Sequence, residues 1–345
     1  VVGITETDIQ EQKRFPLSDR TISQLLKALQ PMQPRAIGLD LFRDIPQEPG
    51  NAELRAALNL PNVIAITQIG SEETPTVPPP PGVPAKRIGF NDLVLDDDGV
   101  VRRNLLFADN GNETLYSFSL RLALAYLAPQ NIGLRRSSPQ PDASNQDEVL
   151  LGKATLRPLE SHSGGYQTID ARGYQILLRY RGREAAKQVS LGDVLNQRVQ
   201  PEWVRDRVVL IGTTATTGRD LFFTPYSATE RDTPRMAGVM VHANLVSQLL
   251  DVALDGRSLF WFWSEWVEIL WIVGWALLGG LLSWYIRRPL LLILSGVGLV
   301  LVLLGAGFGL FLQQAWVPIA TPALAAIAAG AIVVAYRAYW GRASS

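Results

Sequence analysis

Residues 211–220 (IGTTATTGRD) form a Gly- and Thr-rich loop directly behind an apolar run. The hydroxyls of Thr213 and Thr214, with free backbone N–H groups, could hold an anion there. Open α/β sheets bind ligands at the carboxyl ends of their strands. The competing reading is a plain strand-to-loop turn. A loop that cradles a nucleotide for hydrolysis needs a Lys before its Ser or Thr, and this one has none. Asp40 closes the run 36–41 (AIGLDL) and could line the same crevice, or simply fix a loop or a helix start. Asp220 ends the Thr-rich loop and is of the type that hydrogen-bonds loop backbone. His242 lies in an apolar setting, VMVHA. A lone His on such a face is ordinarily a satisfied core residue, and it senses or binds only if it titrates near neutral pH. His162, the other histidine, sits among Ser and Gly, so the two make a poor metal set. Asp96, Asp97 and Asp98 precede Gly99 as a solvated turn, without the spaced carboxylates of a calcium loop. Serine-hydrolase and zinc-protease motifs and paired catalytic carboxylates are missing in any workable context. No enzyme activity, cofactor or metal is therefore expected.

The elements that must position these residues alternate. Residues 1–4 are short and β-branched, as in a strand. Ser18 can cap a helix to about residue 30, with Ile22, Leu25, Leu26 and Leu29 on one face. Runs 36–41 and 63–69 are continuously apolar, as in strands buried on both faces, and 51–60 between them reads as a helix. Such alternation predicts a mostly parallel sheet flanked by helices, an α/β fold. A proline-rich stretch (74–84) reads as extended and exposed. Residues 93–95 and 100–106 around Asp96–Gly99 read as a hairpin, and either Arg102 or Arg103 turns inward toward a carboxylate. Residues 115–127 form a helix with Arg121 outward, and 130–149 is a polar, flexible insertion. Strands at 175–180 and 208–213, a short helix capped by Ser190, and a helix over 238–250 complete a domain spanning 1–260.

The last quarter holds three apolar stretches, 266–286, 290–312 and 319–336. About 20 apolar residues in a helix cross a hydrocarbon core of about 30 Å. Arg287 and Arg288 lie between the first two stretches, Arg337 and Arg342 follow the third, and the turn 313–318 is uncharged. Basic turns face the cytoplasm. Residues 1–260 are thus expected outside it and 337–345 inside. Trp261, Trp263, Trp266 and Trp316 mark the outer interface; Trp284, Tyr285, Tyr339 and Trp340 mark the inner one. Glu268 lies near the outer interface, and no charge sits at mid-membrane, which disfavours an ion path. Glycines on the second span (Gly296, Gly298, Gly305, Gly307, Gly309) and alanines on the third suit close helix packing, within the bundle or across a homodimer.

The chain of 345 residues has 32 basic and 32 acidic side chains and no Cys. Four of the basic and two of the acidic groups follow residue 260, so the larger part is slightly acidic and offers no field for nucleic acid. The absence of Cys excludes disulfides, thiol chemistry and Cys-ligated zinc. A domain of this size ahead of the spans leads us to expect a signal-anchor helix before Val1.

Seven segments in order resemble the class-two CHASE domain, a cyclase- and histidine-kinase-associated sensory extracellular module of bacteria. They are 35–41 (RAIGLDL), 97–103 (DDGVVRR), 116–124 (YSFSLRLAL), 190–195 (SLGDVL), 208–214 (VVLIGTT), 220–225 (DLFFTP) and 236–250 (MAGVMVHANLVSQLL). Three membrane helices behind the domain are also a habit of that family. The resemblance implies the input module of a receptor in the bacterial plasma membrane. A cytoplasmic kinase or cyclase is the output in such proteins, and a small ligand or an envelope protein would be the stimulus. Asp220, Thr224 and His242 fall in its most specific region and join Asp40, Thr213 and Thr214 as ligand-binding candidates. The competing reading is a membrane scaffold whose outer domain docks an envelope partner.

Overall fold

The computed structural model describes residues 1–70, 74–109, 111, 113–136, 148–166, 168–227, 235–256 and 259–343, with side chains as far as residue 340. Most of the polar insertion expected at 130–149 lies outside the described residues. The first third of the chain supplies β1 (Val2–Ile4), α1 (Glu6–Gln12), α2 (Asp19–Leu29), β2 (Ala36–Asp40), α3 (Asn51–Leu58), β3 (Val63–Thr67) and β4 (Ile88–Phe90). The middle supplies β5 (Arg103–Asp109), β6 (Thr114–Tyr116), α4 (Phe118–Leu127), β7 (Leu134–Arg136), β8 (Val149–Leu151), β9 (Ala154–Leu156) and β10 (Tyr174–Leu177). Then follow β11 (Val189–Ser190), α5 (Leu191–Leu195), β12 (Val208–Thr213), β13 (Leu221–Phe222), β14 (Met236–Ala237) and α6 (Gly238–Asp255).

Six strands make one sheet in the order β11-β1-β12-β2-β3-β4, every pair parallel. Strands buried on both faces need apolar residues at every position, and β2 is buried throughout. Alternation along β2 splits its residues between two layers. Ile37 and Leu39 join α2, α3 and α5 in one core, with Ile22, Leu26, Leu54 and Val194. Ala36 joins α4 and α6 in the other, with Phe118, Leu122, Val239 and Met240. Gly38 points to that second layer, where a Cβ would meet the Phe118 ring at 2.5 Å and Leu122 at 2.7 Å.

Local chemistry sets the helix starts. Ser18 caps α2 by accepting the Thr21 N–H at 3.2 Å. Thr5 and Asp8 form a reciprocal capping box at α1, and Ser190 and Asp193 form another at α5. The Asp8 carboxylate also accepts the Gly192 N–H at 2.8 Å, tying α1 to α5.

The expected hairpin around Gly99 is reduced to an isolated antiparallel bridge between Leu95 and Val101. Its second arm pairs elsewhere: β5 is the centre of a small antiparallel sheet between β10 and β6. Arg103 is the arginine that turns inward. Its Nε donates to Asp96 Oδ1 at 2.8 Å, Nη1 to Gln175 Oε1 at 2.8 Å and Nη2 to the Leu95 carbonyl at 2.9 Å. Asp96 is therefore a buried anchor rather than a solvated turn residue, and Arg102 binds it from outside at 2.9 Å. Arg121, expected to point outward, donates to the Ile88 carbonyl at 3.0 Å and lies 4.4 Å over the Tyr116 ring.

A second compact unit holds residues 160–170 and 259–345, the first holding 1–159 and 171–258. It contains α7 (Glu265–Tyr285), α8 (Pro289–Leu312) and α9 (Ala320–Ala343). All three are long and apolar enough to cross a membrane. Small residues bring α7 against α9, where a Cβ on Gly279 would run into the Ala326 backbone and one on Gly330 would meet Ser283 Oγ at 2.8 Å. Arg337 of α9 donates to the Ser283 carbonyl of α7 at 2.6 Å. On α8, added Cβ atoms at Gly296, Gly298, Gly305 and Gly309 would meet open space, so these glycines do not serve packing among the described residues. Tyr166 packs edge-on against Trp316 at 4.8 Å.

Overpacking at a close helix–sheet contact costs about 1–3 kcal/mol. Gly38→Val, which drives a side chain into Phe118 and Leu122, is expected to lower the stability of the full chain by that amount. The measurement is thermal melting in detergent, with Gly133→Ala as a control at a glycine whose neighbourhood is open and whose φ is not positive.

Candidate functional site

Strands β12 and β2 lie side by side, and the next helices in the chain leave them on opposite faces. From β2 the chain runs to α3 in the first core; from β12 it runs to α6 in the second. Such a divergence opens a crevice beyond the carboxyl ends of the two strands. A cavity of about 340 Å³ lies there, lined in part by Asp40, Asn91, Thr213, Arg219 and Asp220.

Asp40 is the last residue of β2. It shares strand parity with Ala36 and Gly38, which sends its side chain toward the α4 and α6 layer. It is 8% exposed, and the Asn91 amide donates to its Oδ1 at 3.2 Å. Asn91 is placed by β4, its N–H donating to the Thr67 carbonyl at 3.0 Å. Asp220 arrives by another route. The pairing of β13 with β14 sets Leu221 opposite Ala237, and the Gly238 N–H donates to the Asp220 carbonyl at 3.0 Å. The Asp220 carboxylate lies over Gly238 in the space a Cβ would fill. It thereby sits at the start of α6, which has no side-chain cap of its own and whose dipole favours an anion. Neither aspartate has an ion-pair partner among the described residues.

His242 follows one turn into α6. It is 3% exposed, stands edge-on to the Phe118 ring at 5.4 Å, and its Nδ1 has no hydrogen-bond partner among the described residues. A buried polar atom without a partner costs about 1–3 kcal/mol, so its retention calls for a reason beyond packing.

These three groups perturb one another. Burial pushes the Asp40 carboxyl up to about 6, the Asn91 amide opposing it. Burial and the neighbouring Asp40 charge push Asp220 up to about 6, with His242 opposing. Burial holds the His242 imidazole down to about 4, against the pull of Asp220. The usual order is inverted: at mildly acid pH the proton resides on a carboxyl and the imidazole is neutral. Clusters of this kind mark functional sites.

Among the six candidates from sequence, Asp40, Thr213 and Asp220 line one cavity, and His242 is electrostatically coupled to Asp220. Thr214 is turned to β1: its N–H and Oγ1 donate to the Ile4 carbonyl at 3.0 and 3.3 Å. Thr224 does not line the cavity. It is fully buried in a turn with Ser227, whose Oγ lies 3.4 Å from the Thr224 hydroxyl. The anion expected at the Thr-rich loop is the chain's own Glu6. Its Oε1 accepts the Thr216 hydroxyl and the Thr217 N–H, both at 2.8 Å. Asn91, Arg219 and the cavity-lining Phe15 and Phe42 escaped the sequence reading. Asn91 alone carried a signal: like Asp40, it is a polar residue directly behind an apolar strand.

Fold and spans define a class: an α/β domain built on a parallel sheet, in a chain with three helices long and apolar enough to cross a membrane. The CHASE2 domain model matches residues 1–281, and the chain belongs to this family of sensory extracellular domains of signalling receptors. No curated protein and no solved structure matches it.

Asp40 binds its proton more tightly folded than unfolded, between its ordinary 3.8 and about 6. Its contribution to stability is complete at low pH and is lost as pH rises through about 6. His242 contributes oppositely, gaining as pH rises from about 4 toward 6.5. Only the difference between wild type and an Asp40 variant isolates the aspartate. Asp40→Asn is expected to stabilise the full chain by about 1–3 kcal/mol at pH 7.5 and to leave it nearly unchanged at pH 4. Thermal melts across that range check this, and an equal shift at both pH values would contradict the assignment.

Proposed function

We propose that the chain is the extracytoplasmic input module of a transmembrane receptor in a bacterial plasma membrane, not itself an enzyme. Residues 1–260 face outward. A ligand favours one arrangement of the outer domain, and α7, α8 and α9 convey that preference to a kinase or cyclase output. Only a ligand that binds two arrangements unequally can shift their populations. The family membership supports the sensory role. The observation that carries the sidedness is the distribution of arginines: all four beyond residue 260 lie at one end of the spans, and the turn at the other end has none.

The chain has no Cys, so single cysteines report sidedness directly. Gly111→Cys and Gln313→Cys are expected to react with a membrane-impermeant maleimide on spheroplasts. Ser345→Cys is expected to react only after the membrane is broken. Protection of position 111 until lysis would refute the receptor reading, and with it the outward-facing scaffold reading.

A further inference from the structure

Asp40 and Asp220 line the same cavity, and no cation in the described structure neutralises either one. Asp40 is 8% exposed; its Oδ1 accepts the Asn91 amide, and among the described residues no hydrogen bond reaches its other oxygen. Arg43 lines the cavity too, but it is committed elsewhere. It lies 3.2 Å from Asp19, and it donates to the carbonyls of Phe42 at 2.9 Å and Leu17 at 3.0 Å. Arg219, at the cavity wall, forms no ion pair with the two carboxylates.

The rest of the wall is apolar and aromatic. Phe15 and Phe42 line it and remain 40% and 37% exposed, so both rings offer apolar surface to a molecule in the cavity. Aromatic faces attract ammonium groups and shield alkyl chains from water. A bare divalent ion fits poorly. It needs six or more oxygens, and no group of three His, Cys, Asp or Glu side chains suited to a metal occurs among the described residues. The volume, about 340 Å³, lies within the range of small-molecule pockets.

We propose that this crevice binds a small organic molecule carrying a primary ammonium group, with the ammonium between Asp40 and Asp220 and the apolar part against Phe15 and Phe42. This deepens the sensory reading, on which its signalling consequence rests. The bound cation offsets the burial that pushes both carboxyls upward. A simple amine and an α-amino acid share this chemistry, and they differ at Arg219, which is free to take a carboxylate.

The test is titration calorimetry and thermal shift on the full chain in nanodiscs. The probes are propylamine, 2-phenylethylamine, phenylalanine, 3-phenylpropionate and calcium chloride. An ammonium-bearing probe is expected to bind, and 3-phenylpropionate and calcium are not. Asp220→Asn, checked for an unchanged circular dichroism spectrum, is expected to weaken binding roughly 10- to 100-fold, the loss of one charge-assisted hydrogen bond. If Asp220→Asn does not fold, Phe42→Ala serves instead, and weakens 2-phenylethylamine more than propylamine. Phenylalanine binding that Arg219→Gln abolishes identifies the amino acid; 2-phenylethylamine binding indifferent to Arg219→Gln identifies the amine. Binding by none of the ammonium probes overturns the proposal, as does equal binding of 3-phenylpropionate or calcium, or wild-type affinity in the folded Asp220 variant. Binding is read on purified protein, so it stands or falls independently of the sidedness that the maleimide labels report.

Discussion

Strand β12 enters the sheet late in the sequence, between β1 and β2, which were made some 170 residues or more earlier. The remainder of the outer domain follows from that insertion. It fixes the register of Gly212 beside Asp40, and it forces α3 and α6 onto opposite faces. It also gives the crevice a floor with two origins: Asp40 from the early part of the chain and Asp220 from the late part. Closing so long a loop is slow but costs only modestly more entropy than closing a shorter one. The reward is a continuous apolar core on each face of the sheet.

Against that core the crevice is a local loss. Among the described residues, Asp40 and the half-buried Asp220 have no counter-ion, and the buried His242 has a ring nitrogen without a partner. Asp40 would be more stable as its uncharged amide at neutral pH, and the contrast with Arg103 shows what the chain does when only structure is at stake. There, Asp96, Gln175 and the Leu95 carbonyl satisfy the buried guanidinium. Proteins retain unsatisfied buried charge where activity requires it.

The α/β class was legible because β2 and β3 are continuously apolar and a capped amphipathic helix precedes β2. The membrane helices were legible from length and composition alone, since a bilayer demands both. The site was only half legible. Asp40, Thr213 and Asp220 end or follow recognisable elements, so strand-end reasoning reached them. Asn91 meets Asp40 across 51 residues and Glu6 meets Thr217 across 211, distances over which no local pattern speaks. The hairpin expected around Gly99 failed for a related reason. Asp-Gly does make the turn, but the pairing of β5 with β10, 70 residues on, outcompetes the adjacent arm.

Gly238 is required for a reason that has little to do with backbone flexibility. It carries no positive φ; it is bare so that a carboxylate can rest on the first turn of α6. A Cβ there would collide with the Asp220 carboxylate. A side chain at position 238 would thus act on the crevice by displacing one carboxylate, not by straining the backbone.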